Sequence, residues 1–185
     1  MPLVNLYGLN ITAKNNISRY GLIAKLFHWV TFLFLIAQIP FGFYISNLEF
    51  SLTRANFENY HILSGIIIFY IVLARLIWKF FNPTPKLWSK NKYQTLIAKV
   101  NHFLLYLFIF IIILSGVFKK FFIEETVNLI FFNIQSSKTI FEFSSIFYEL
   151  HWLSSVILIT LTLLHVFAAI YNHVFLKQKV LKKII

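Results

Sequence analysis

Residues 150–176 read LHWLSSVILITLTLLHVFAAIYNHVFL, twenty-seven positions without one charged side chain. A helix needs roughly 20 consecutive apolar residues to cross a bilayer, so this stretch is long enough to span one. Working outward, three more uncharged stretches precede it, at 26–48, 59–74 (extendable past Arg75) and 100–118. The pattern predicts an all-α integral membrane protein, a bundle of four transmembrane helices. Composition agrees: 59% hydrophobic and 12% charged is too apolar for a soluble domain of 185 residues. The spans and their connections use up the chain, so a cytosolic enzyme, a disordered scaffold and a secreted module are excluded. With no cysteine there is no disulfide, no thiolate zinc site and no cysteine-held iron–sulfur cluster.

The net charge of +11 is distributed by side. Lys14, Arg19 and Lys25 precede the first span. Arg75, Lys79, Lys86, Lys90, Lys92 and Lys99 surround the second connection, and Lys177, Lys179, Lys182 and Lys183 lie in the tail, with no acidic residue among them. The other two connections hold Arg54, Lys119, Lys120 and Lys138 together with all six acids, Glu49, Glu58, Glu124, Glu125, Glu142 and Glu149. The positive-inside rule then puts both termini in the cytoplasm. Basic charge here reports topology and anionic lipid headgroups, so lipid is an expected partner and nucleic acid is not. Three regions follow: a polar N-terminal segment at 1–18 that does not resemble a removable signal peptide, the membrane domain at 19–176, and a basic tail at 177–185.

Pro40 is expected to kink the first helix near its outer end, and Asn82-Pro83-Thr84-Pro85 to stop the second. Tyr20, Trp29 and Tyr44 suit the aromatic belts at the two interfaces. The longest connection, 121–148, carries Ile130, Phe131, Phe132 and Ile134; a short helix lying in the outer interface is expected there.

Six histidines fall on the four helices, and ionisable groups in a membrane are costly enough to point to function. His151 and His165 lie fourteen residues apart on one helix, so about 21 Å separates them along the axis while about 100° per residue returns them to nearly the same face. One helix thus offers an imidazole in each leaflet. By depth, His61 matches His151 at the outer level and His28 matches His165 at the inner one. Two bis-imidazole sites stacked across a bilayer are what two haem b groups require. Zinc or copper would be undercoordinated, with two ligands per level and no carboxylate or cysteine in any span. Small residues one turn from three of the histidines (Ser64 and Gly65, Ser154 and Ser155, Ala168 and Ala169) would let a flat ring approach; helix packing in membranes uses the same residues.

Arg75 follows His61 by fourteen residues and so faces the bundle at the inner level, where it is expected to pair with a haem propionate; a snorkelling arginine is the alternative. His102 and His173 at the inner ends are either interfacial residues without iron contact or participants in proton exchange with a quinone. His102 starts at a depth close to that of His28 and is therefore the competing partner for His165.

The ordered series Arg19-Tyr20, Leu26-Phe27-His28-Trp29, His61 with Gly65 and Arg75, Asn82-Pro83-Thr84-Pro85, Asn101-His102 with Tyr106, Leu114-Ser115-Gly116, His151-Trp152, and His165 through His173 resembles the prokaryotic cytochrome b561 family. The resemblance covers the chain from about Tyr20 onward. It implies His28, His61, His151 and His165 as axial ligands, with His102 outside the first coordination sphere. It also implies a multi-pass protein of the bacterial inner membrane that moves electrons between the periplasmic side and ubiquinone. Some relatives oxidise superoxide, so an oxidoreductase activity of the superoxide:ubiquinone type is one expectation. A cytochrome b subunit serving a partner dehydrogenase or hydrogenase is the alternative, with a homodimer as a further assembly; a non-redox helical membrane protein is the third reading.

Overall fold

The computed structural model describes residues 2–6, 9–85, 91–178 and 180–185; Lys86, Lys90 and Lys179 lie outside the described residues. An antiparallel hairpin, β1 (Pro2–Leu6) and β2 (Leu9–Thr12), precedes α1 (Leu22–Ser46), α2 (Leu52–Phe81) and α3 (Lys92–Phe121). A second short hairpin, β3 (Val127–Asn128) and β4 (Asn133–Ile134), leads into α4 (Phe141–Val174), and a 3-10 turn at Leu181–Lys183 follows. All four α-helices are long and apolar enough to cross a membrane.

The helices are longer than the uncharged stretches because charged residues occupy their terminal turns. Arg54 and Glu58 lie within α2, Lys92 and Lys99 within α3, and Glu142 and Glu149 within α4. Ser51 opens α2 with its hydroxyl accepting from the Arg54 amide at 3.2 Å, and Asn91 opens α3 by accepting from Tyr93 at 2.9 Å. Helix α2 ends where the prolines require: Asn82, before Pro83, is extended at φ −130° and ψ 139°. Helix α1 continues through Pro40 to Ser46.

Close helix seams join α1 to α2 and α3 to α4, while α2 and α3 meet over a shorter stretch. The mid-bundle core is Ile68, Val72, Ile109 and Leu158, with Phe34, Leu35 and Ile39 packed around it. Leu33, Leu163, Leu164 and Phe167 are exposed on the outside of the bundle. At one end, Asn15 donates to the Pro83 carbonyl at 3.1 Å and Trp29 Nε1 to the Ile184 carbonyl at 2.9 Å, while Lys25 Nζ reaches the Ile185 carbonyl. The N-terminal segment, the second connection and the tail therefore gather together. At the opposite end a rim of ion pairs forms: Arg54–Glu58 at 3.1 Å, Lys120–Glu58 at 2.9 Å and Lys120–Glu125 at 2.6 Å.

The expected interfacial helix in the long connection is not formed. Instead Val127 pairs with Ile134 and Asn128 with Asn133 in an antiparallel ladder. Four residues between strands are too few to nucleate a helix, and Asn128 Oδ1 accepts the Ile130 amide at 2.7 Å, fixing a turn instead. The connection itself is shorter than expected, since α4 begins at Phe141.

Candidate functional site

The expected histidine pairs face one another across the gap between the α1–α2 and α3–α4 hairpins. At the rim end, His61 of α2 and His151 of α4 have ring centres 6.3 Å apart, with planes at 73°. At the other end, His28 of α1 and His165 of α4 also lie 6.3 Å apart, at 59°. A metal–imidazole bond of about 2 Å, plus roughly 1 Å from ring nitrogen to ring centre, sets two coaxial imidazoles about 6 Å apart across a metal. Both pairs match that spacing. His102 of α3 lies closer to His165, at 4.9 Å and 81°, too near for the same arrangement. Among the described residues no three His, Cys, Asp or Glu side chains converge to hold a bare metal ion. Two imidazoles per level suit a group that brings its own equatorial ligands, as a porphyrin does.

Hydrogen bonds decide which ring nitrogen is available. A carbonyl only accepts, so the 2.7 Å contact of His151 Nδ1 with the Ile112 carbonyl puts the proton on Nδ1 and leaves Nε2 with a lone pair. Ser115 Oγ lies 3.4 Å from the same Nδ1. His102 is held the same way, its Nδ1 donating to the Ala98 carbonyl at 2.6 Å. His28 is different. A guanidinium only donates, so Arg75 Nη2 at 3.0 Å makes His28 Nδ1 an acceptor and places the ring proton on Nε2. The Arg75 and Lys79 cations lie 5.4 Å and 4.9 Å from the centre of the Tyr106 ring. Tyr20, just before α1, belongs to this neighbourhood: burial pushes its phenol up, against the opposing pull of Arg75. His61 Nδ1, Ser154 Oγ, Trp78 Nε1, Asn101 Oδ1 and His173 Nδ1 are buried without a hydrogen-bond partner among the described residues.

Glycines make room for the rim-end pair. A methyl at Gly42 would stand 2.9 Å from His61 Cε1, and one at Gly116 would stand 3.0 Å from His151 Cε1 and 3.1 Å from its Nδ1. At Gly65 a methyl would meet only Gln38 Nε2, at 3.5 Å. These glycines and both rings line a cavity of about 220 Å³ that opens at the ion-pair rim. Gln38 spans α1 and α2 there, donating to the His61 carbonyl at 2.6 Å and accepting from Ser64 Oγ at 2.6 Å. Neither Gly42 nor Gln38 is singled out by the sequence reading, although a glycine inside an apolar helix signals close approach. Of the small residues expected beside the histidines, Gly65 and Ser155 line the cavity, Ser154 is buried, and Ala168 is exposed.

A family model described as prokaryotic cytochrome b561 matches residues 19–185. A curated relative, "Cytochrome b561 homolog 2" of Escherichia coli (strain K12), is 28% identical over 104 residues, which is 55% of this chain and 55% of the relative. The chain thus matches about half the length of that protein.

Proposed function

The chain belongs to the prokaryotic cytochrome b561 family, multi-pass membrane proteins of haem-b electron transfer, and from that membership we propose that it carries two haem b groups and moves electrons between the periplasmic side of a bacterial inner membrane and ubiquinone. His61 and His151 would hold the outer haem, and His28 and His165 the inner one. The observation that carries this reading is the common 6.3 Å spacing of two pairs that share α4. On this reading residues 19–176 are the cytochrome domain, between an N-terminal segment at 1–18 and a tail at 177–185, and the basic end of the bundle is cytoplasmic.

Held by a histidine pair at each level, haem b would supply one-electron exchange rather than chemistry on bound dioxygen or peroxide. The chain's own residues set up the rest. Ile112 holds the His151 ring in the tautomer that presents Nε2. Holding a haem through Nε2 would require the His28 proton on Nδ1, the opposite tautomer from the one Arg75 enforces. In that tautomer Nδ1 would no longer accept from Arg75, whose guanidinium would be available to pair with an acidic group of the haem. His102, with Nδ1 tied to the Ala98 carbonyl, keeps an Nε2 lone pair that would take up a proton and pass it to a quinone being reduced, and His173 lies at the C-terminal end of α4. At the rim, Arg54 and Lys120 are engaged by Glu58 and Glu125, whereas Lys119 sits over the Tyr148 ring at 5.0 Å and lines the cavity. Lys119 is therefore the residue that would draw an anionic donor such as superoxide.

Pyridine haemochrome on the detergent-solubilised protein tests the reading: about two haems per chain are expected, and near-zero haem rejects it. Stopped-flow mixing of the oxidised protein with superoxide, with and without a quinone analogue, tests the donor and acceptor.

A further inference from the structure

The β3–β4 hairpin is polar at its base and apolar at its tip. At the base, Glu125 pairs with Lys120 of the rim, Gln135 donates to the Glu124 carbonyl at 2.8 Å, and Thr139 donates to Glu124 Oε1 at 2.8 Å. At the tip stand Ile130, Phe131 and Phe132, which are 46%, 77% and 59% exposed. The tip does not project away from the bundle. Val127 is buried with Ile66 of α2 and Val117 of α3, and Phe131 packs edge-on against Tyr70 with ring centres 5.3 Å apart. Tyr70 OH donates to the Leu129 carbonyl at 2.9 Å.

Those partners fix the depth. Tyr70 is twelve residues along α2 from Glu58, about 18 Å at 1.5 Å per residue, and its side chain leans back toward the rim by roughly one turn. Val127 sits between Ile66, about 12 Å below the Glu58 level, and Val117, about 5 Å below Lys120. The tip therefore lies on the order of 10 Å beneath the ion pairs, within one leaflet of a hydrocarbon core about 30 Å thick. We propose that the β3–β4 hairpin is a re-entrant element, its base at the headgroup level and the outward side of residues 130–132 covered by the acyl chains of the lipid leaflet on the rim side.

A backbone entering lipid must satisfy its polar groups internally, and four of the tip's backbone groups are paired in this way. The Leu129 amide donates to the Phe132 carbonyl at 2.9 Å, the Ile130 amide to Asn128 Oδ1, and the Leu129 carbonyl accepts from Tyr70. Ile130 holds φ at 74°, a turn position where glycine is the usual residue. A β-branched side chain there is strained, and what it retains is apolar surface at the deepest point of the turn. Water offers no return for three adjacent large apolar side chains; lipid does. The hairpin also fills the groove where α2 and α3 are not in close contact, beside the cavity that holds His61 and His151. None of this depends on the cofactor assignment.

The chain has no cysteine, so a spin label attaches only where one is introduced. Phe131→Cys and Phe132→Cys are labelled separately in the full chain reconstituted into phosphatidylcholine–phosphatidylglycerol vesicles, with Leu164→Cys on the outside of α4 and Ser137→Cys at the hairpin base as references. Collision rates are read with oxygen, which concentrates in lipid, and with a water-soluble nickel chelate. Both tip labels are expected to favour oxygen over nickel as Leu164→Cys does, with Ser137→Cys showing the reverse. Nickel-dominated relaxation at the tip would place it in water and overturn the proposal. Exclusion of both agents would mean that protein, a second copy or another chain, covers the tip, and would overturn it equally. Two tip positions are used so that misfolding of one variant leaves the other to decide.

Discussion

Gly116→Ala tests whether the rim-end pair is a ligand pair. The added methyl would lie 3.0 Å from His151 Cε1 and 3.1 Å from Nδ1, whereas carbon atoms pack best at about 3.5–4.0 Å. The ring must therefore retreat by roughly 0.5 Å or more. It is not free to do so, because its Nδ1–H is fixed at 2.7 Å from the Ile112 carbonyl. Overpacking of this kind costs about 1–3 kcal/mol, and disturbing the group that orients a metal-binding imidazole lowers affinity about 10–100-fold. The two estimates agree, since each tenfold corresponds to about 1.4 kcal/mol. Gly65→Ala is the control: its methyl makes an ordinary 3.5 Å contact with Gln38 Nε2. Both substitutions add the same helix propensity, so their difference isolates the ring clash. Haem titration into the cofactor-depleted protein, followed by the low-spin absorption bands, should show one of two sites weakened in Gly116→Ala and both near wild type in Gly65→Ala. Wild-type affinity at both sites in Gly116→Ala, or an equal loss in the control, would refute the assignment of His151.

His151→Ala should remove chiefly the outer haem and His165→Ala the inner one, while His102→Ala keeps both; haem stoichiometry and low-temperature spectra check this, and loss of the inner haem in His102→Ala would make His102 the partner of His165. Arg75→Gln should weaken the inner haem about tenfold or more, because a charge-assisted hydrogen bond contributes about 1.5–3 kcal/mol. The inner component of a potentiometric titration should also move negative. Tighter inner binding in that variant would mean that the guanidinium acts only by occupying His28.

The four helices were legible because a bilayer imposes a length on apolar stretches, and 26–48 and 150–176 each meet it in full. Their ends were not, because charged turns carrying Arg54, Lys92 or Glu142 continue a helix past the hydrocarbon edge without any break in hydrogen bonding. Histidine depth followed from residue counts, and so did the shared face of His151 and His165. Helix rotation did not: the 4.9 Å approach of His102 to His165 and the contact of Arg75 with His28 Nδ1 depend on how α3 and α1 turn about their axes. The β3–β4 hairpin was missed because four apolar residues in a row carry neither a 2.0 nor a 3.6 period. Gly42 was missed because its reason is a ring on another helix, not anything in its own neighbourhood.

Helices α1 and α2 form one tight unit, and α3 and α4 another. Both histidine pairs reach from one unit to the other, His28 to His165 and His61 to His151. A group held by these pairs would act as a clasp between the two units. Loading would then lock a bundle that the Ile68, Val72, Ile109 and Leu158 core already joins, and scarcity of the clasp in the cell would leave that bundle less stable and more open to membrane proteases.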